Sequence, residues 1–212
     1  MRWLAGGVTL SLVGLLLFAS LSLPPRSEAP DLEAIAGRYG VRNAVAAVVL
    51  GARLWDTLLE VLVFAMAMVG VRIALRPLGK AQEPPPVPES HLLSQAADLL
   101  IGPIAVFALY LAASGHLGPG GGFPAGAILG SGLLLLALAQ GTERLARNIH
   151  ERGLERLEYG VVALLISGGM GAALVGSPGS PWLITANLLI GLEVGIGAWV
   201  VLHRFVAHRG EL

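Results

Sequence analysis

The chain has no cysteine among its 212 residues, which excludes disulfides, thiolate metal sites and thiol nucleophiles. Charge is scarce too. Asp, Glu, Lys and Arg make up 13% of the chain and sum to zero, where an ordinary soluble domain carries about 25% charged residues. With no long basic or acidic block, nucleic acid is not an expected partner. What the sequence does have is apolar length: 55% of its residues are apolar and the mean hydropathy is +0.74. Runs of 18 or more mostly apolar residues recur, and such runs cross a hydrocarbon core about 30 Å thick. The expected fold is therefore all-α, a multi-pass integral protein of the cell membrane with about six transmembrane helices.

Six segments qualify: Trp3–Leu23, Thr57–Leu75, Ala96–Ala113, Phe123–Gln140, Tyr159–Val175 and Leu183–Arg204. Each must be helical, because lipid offers no partners to backbone N–H and C=O groups. With the N-terminus inside, ten of the fourteen Lys and Arg residues fall on the cytoplasmic side, Arg72, Arg144, Arg147 and Arg156 among them. That bias places both termini in the cytoplasm. A cleaved signal peptide at the first span is the alternative there, and it would leave five spans and the same orientation. Val41–Gly51 is apolar but too short to span; it is either interfacial or packed on protein at membrane depth.

Residues 79–90, GKAQEPPPVPES, read as a cytoplasmic linker, since three consecutive prolines stop a helix and favour an extended spacer. The expected organisation is a two-span unit at 1–78, the linker at 79–90 and a four-span domain at 91–212.

The most unusual local feature is HLGPGGGFPAG, His116–Gly126. A phosphate-binding P-loop needs Lys-Ser/Thr after its second glycine, and none is present. The dinucleotide fingerprint needs a preceding strand and a following acid within a βαβ unit, and neither is available. A tight reversal between two spans fits instead, with Gly118 to Gly122 around Pro119 tolerating positive φ. Gly122, Gly126 and Gly130 then repeat at spacing four, giving one smooth helix face for close packing in lipid.

The pattern carried by His116, Pro119, Gly120, Gly121, Gly122, Phe123 and Gly126 resembles the signature of the B subunit (MnhB/MrpB) of Mrp-type sodium/proton antiporters. The same domain occurs in energy-converting membrane hydrogenases related to respiratory complex I. The resemblance implies four spans over residues 92–205 and an acid followed by small and aliphatic residues in the last of them, where Glu193, Gly195 and Ile196 stand. A second stretch, Asn43–Glu60, is similar to the segment that ends the large A subunit of those antiporters and forms a small separate subunit in membrane hydrogenases. Asn43, Arg53, Trp55, Asp56, Thr57 and Glu60 carry that likeness; Gly51, Leu54 and Leu59 depart from it, where relatives have Asp, Gly and Gly.

Ionisable groups within spans are costly and ask for an explanation. Glu193 is the eleventh residue from Leu183, near mid-span. A charge there costs about 2.5–3.5 kcal/mol on the insertion scale, and the eleven Leu, Ile and Val residues from Leu183 to Leu202 return roughly 3–7 kcal/mol. The helix tolerates Glu193 and gains nothing from it, which leaves two readings: a protonated acid hydrogen-bonded across an interface, or a proton or cation relay. Thr57-x-x-Glu60 reads as a capping box. Asp56 and Glu60, one turn apart, also read as a carboxylate pair gathering cations at a helix entrance. Asp98 and Glu158 fall at cytoplasmic span ends, where the helix dipole stabilises anions. His116 reads as a relay or as an anchor of the turn; His150, His203 and His208 read as solvated or interfacial. No spacing suits a metal site or hydrolytic chemistry.

These readings imply a non-catalytic auxiliary subunit that needs no cofactor, since the spans hold no lysine of the kind a self-contained pump of this superfamily carries. Its implied partners are the lipid bilayer and the large and small subunits of an Mrp-type assembly. The alternative places the chain beside hydrogenase-type subunits, in the membrane arm of a redox-driven pump.

Overall fold

A computed structural model describes residues 14, 30–75, 90–140, 151–176 and 179–207. Contacts divide the chain into residues 1–31 and 32–212. The expected first span and nearly all of the linker lie outside the described residues, as do His150 and His208. All regular structure among the described residues is helical.

Residues 32–212 open with two short helices, α1 (Leu32–Arg38) and α2 (Ala44–Ala47), and a π-helical turn, Val48–Ala52. Five long helices follow: α3 (Leu54–Leu75), α4 (His91–Ser114), α5 (Gly122–Gln140), α6 (Glu151–Val175) and α7 (Ser180–Ala207). All five are long and apolar enough to cross a membrane. The 22 residues of α3 alone reach about 33 Å at 1.5 Å each. The chain is thus an all-α, multi-pass membrane protein with five spans among its described residues. Several helices begin earlier than hydropathy suggests. α6 starts at Glu151, eight residues ahead of Tyr159, because charged side chains end an apolar run without ending a helix.

The central element is α7, 56% buried along its apolar stretch against 17% for α4. The glycine stripe explains how α5 approaches it. A Cβ at Gly122 would lie 2.5 Å from the Asn187 carbonyl oxygen, and one at Gly126 would lie 2.7 Å from that of Gly191. Gly130 faces Ala198 in the same way. Only glycine permits that contact, as the spacing of four indicated.

The opposite side of α7 meets α3 and α6. Val61 of α3, Val161 and Leu165 of α6, and Leu183, Ala186 and Ile190 of α7 share one apolar core. Tyr39, Ala47 and Leu50 belong to that core as well. The short apolar stretch at 41–51 therefore packs on protein. Gly51 is covered by the Tyr39 ring, where a Cβ would come within 2.7–2.8 Å of it.

Candidate functional site

Four polar side chains are buried among the described residues: Thr57, Glu158, Asn187 and Glu193. Thr57 lies at the start of α3, and the other three fall into two groups, Asn187 at the glycine turn and Glu158 with Glu193 within the α3–α6–α7 core.

The glycine turn is a joint between segments far apart in sequence. Gly121, at φ +125°, donates its N–H back to the Leu111 carbonyl at 3.0 Å. A Cβ at Gly120 would lie 2.8 Å from that same oxygen. Asn187 of α7 supplies the N-terminal cap of α5, its Oδ1 accepting from Gly122 N–H at 2.9 Å. Asn43 reaches in from the other side. Its Nδ2 donates to the Gly115 and Gly118 carbonyls at 2.8 and 2.7 Å, while its Oδ1 caps α2 by accepting from Val45 N–H. His116 completes the joint with its backbone: its carbonyl accepts from both Arg42 and Asn43 N–H at 3.1 Å. The ring Nδ1 stays 3.0 Å from the Ala113 carbonyl of its own helix end. It is the backbone of His116, rather than its ring, that ties the turn to Arg42 and Asn43. Pro119 and Phe123 are exposed.

Asp56 and Glu60 line one open groove on α3, together with Arg53, Leu59, Val63, Phe64 and Phe123. Arg53 Nε donates to Asp56 Oδ2 at 2.7 Å, and both side chains are more than half exposed. Asp56 is therefore already matched by a cation, and Glu60 is exposed beside it. The capping box does not form. α3 begins at Leu54, so Thr57 lies inside it, 3% exposed, and donates its hydroxyl to the Val49 carbonyl at 2.7 Å. The π-helical turn shifts the backbone pairing there, and the Thr57 side chain satisfies the carbonyl.

The second group is where sequence reasoning falls short. Glu158 is not a solvated helix-end anion. It is fully buried, and its Oε2 pairs with Nη2 of Arg72 from α3. Arg72, counted from the sequence among the charges on the cytoplasmic side, sits in the last turns of α3 with only 13% of its side chain exposed. A pair 86 residues apart leaves no local spacing to read. One signal was available: Arg72 and Glu158 each carry a charge in or beside an apolar run, and the two signs are opposite.

Glu193 stands halfway along α7, 1% exposed, as its mid-span position indicated. Neither of its carboxyl oxygens has a hydrogen-bond partner. Glu193 lies within electrostatic range of Glu158 and Arg72, and the helices that carry the three groups, α7, α6 and α3, pack into one core. Glu158 Oε1 and Arg72 Nη1 are also unpartnered. Asp98 is simpler: it accepts from Gln140 Nε2 at 2.8 Å on an exposed surface. No group of three His, Asp or Glu residues among those described is arranged to hold a metal ion.

Residues 92–208, over half of the chain, match the family described as a domain related to the MnhB subunit of Na+/H+ antiporter. The chain belongs to that family. The MnhB-related stretch contains α4 to α7 with the glycine turn, Glu158 and Glu193, while Arg72, Asn43 and α3 precede it. Among curated proteins there is no match. A solved structure extends the likeness to the full chain. It is a chain in the membrane-bound sulfane sulfur reductase, an archaeal respiratory membrane complex, 28% identical, with a TM-score of 0.69 over 96% of this chain and 97% of that one.

Proposed function

We propose that this protein is a non-catalytic membrane subunit of a multisubunit ion-translocating assembly in the cell membrane, driven by redox chemistry in partner subunits. The observation that carries this reading is the full-length likeness to a chain of a respiratory membrane complex. It takes in α1 to α3, which the MnhB-related stretch does not cover. Electron carriers would belong to the partners. This chain would hold large ion-translocating subunits in place and contribute Glu193, backed by Arg72 and Glu158, to an ion path. The groove at Asp56 and Glu60 ranks below Glu193, because Arg53 already offsets Asp56.

A second reading is favoured by the family description itself: a cation (Na+)/proton antiporter working without a redox module. Affinity purification of the tagged chain from native membranes in mild detergent, with mass spectrometry of what co-purifies, separates the two. Recovery with antiporter-like and redox-type subunits supports the first reading. Recovery with antiporter-like subunits alone supports the second. A chain that emerges alone from intact membranes defeats both.

A further inference from the structure

Four polar atoms in one buried site have no partner: both oxygens of Glu193, Oε1 of Glu158 and Nη1 of Arg72. Buried polar atoms are ordinarily satisfied, and clusters that are not mark strain, function or an unseen occupant. Here the charge count limits what can occupy the site. With all three groups ionised the site carries one positive and two negative charges, a net charge of −1 in a medium that penalises it heavily. One monovalent cation restores neutrality. A bound metal cation, sodium included, needs a shell of several oxygens, as calcium and magnesium need six or more. This site offers three free carboxylate oxygens beside a guanidinium, whose positive charge opposes a second fixed cation. A proton needs no such shell.

We propose that Arg72, Glu158 and Glu193 form a single buried site that holds one exchangeable proton, carried on Glu193 while Arg72 pairs with Glu158. On release, the Glu193 carboxyl O–H bond breaks, the proton leaves, and the carboxylate keeps the electron pair. Arg72 then turns its free Nη1 toward Glu193 and is shared between two carboxylates, until a proton returns to Glu193 and the pair with Glu158 is restored. The groups that face this site are Glu193 on α7, Glu158 on α6 and Arg72 on α3. Glu155 and Tyr159 of α6 lie within electrostatic range of Arg72 and are joined to each other by a 3.0 Å hydrogen bond. The site spans the boundary of the MnhB-related stretch, since α3 supplies the cation and the family domain supplies both acids. The proposal rests on the ion-path reading above and names the ion at that path.

The test is infrared spectroscopy of the assembly purified with this chain, wild type against three variants, at neutral pH in H2O and D2O. The wild type is expected to show a protonated-carboxyl C=O band that shifts in D2O and disappears in Glu193→Gln. In Glu158→Gln the same band is expected to vanish, because Arg72 then pairs with Glu193 and ionises it. Arg72→Gln is expected to double the band, because neither acid keeps a counter-charge. An isolated, inert Glu193 would keep its band in Glu158→Gln, and that result overturns the proposal. A wild-type band that fails to shift in D2O overturns it too, as does one abolished by saturating sodium at constant pH. Should Arg72→Gln not assemble, Glu158→Gln decides alone. The bands do not depend on which partners co-purify, so failure of the redox reading and failure of the proton site are told apart.

Discussion

Asn187 and Glu193 lie six residues apart on α7, about 9 Å along its axis, yet their surroundings are opposites. At the glycine turn, Asn43, the His116 carbonyl, Gly121 and Gly122 all meet partners at 2.7–3.1 Å, leaving only Asn187 Nδ2 without one. At the charge cluster four atoms go unpartnered around a single ion pair. The turn is built for one geometry. The cluster has spare hydrogen-bonding capacity, and spare capacity in a buried ionic site allows a pair to be exchanged rather than merely kept. Each substitution below tests whether that contrast is real.

The largest effect is expected from Arg72→Leu. It leaves Glu158 buried without its counter-charge, and breaking one side of a buried pair costs about 3–5 kcal/mol. Thermal melting of the purified assembly should fall sharply, and Arg72→Leu with Glu158→Leu should recover most of the loss, because an apolar pair replaces the ionic one. If the double variant melts as low as the single one, the two residues do not form a pair in the assembled protein. Gly126→Val comes next. Its side chain has to displace the Gly191 carbonyl and Val194, and overpacking of this kind costs about 1–3 kcal/mol. Protease sensitivity at the α5–α7 interface should rise, with Gly126→Ala showing a weaker version of the same effect.

The same contrast governs how much the sequence discloses. Gly122, Gly126 and Gly130 at spacing four indicated a close helix face, and the structure places that face against α7. The apolar runs located five spans, since length and hydropathy are local properties. Glu193 was recognisable as a buried acid because it interrupts an apolar run at its centre. Its neighbours were not, because Arg72 and Glu158 sit near span ends, where a charge has an ordinary explanation. Only the antiparallel packing of α3 on α6 brings them together. Asn43 was noted as a family residue, but its role in tying α2 to the turn depends on carbonyls more than 70 residues away. Thr57 misled for a related reason: a Ser/Thr-x-x-Glu spacing signals a cap only if the helix begins there, and the π-helical turn moves that beginning to Leu54.

Asn43→Ala is the milder test of the turn. It removes two donors from the Gly115 and Gly118 carbonyls and the cap of α2, at an expected cost of about 1–2 kcal/mol. Hydrogen exchange should quicken at Gly118 and Gly121 while α6 keeps its protection; equal loss in both regions would mean the turn and the core unfold as one unit. The smallest change in stability is expected from Glu193→Gln. A neutral acid and an amide have nearly the same shape, and no donor meets either oxygen of Glu193, so no hydrogen bond is lost. The melting temperature should stay close to wild type, within the equivalent of about 1 kcal/mol, while ion translocation by the assembly in vesicles falls. That pairing of a stable fold with lost transport is what separates Glu193 from Arg72. Should Glu193→Gln instead destabilise the assembly as much as Arg72→Leu does, Glu193 must be ionised and paired in the resting protein, and the cluster would have no spare capacity left to distinguish it from the turn.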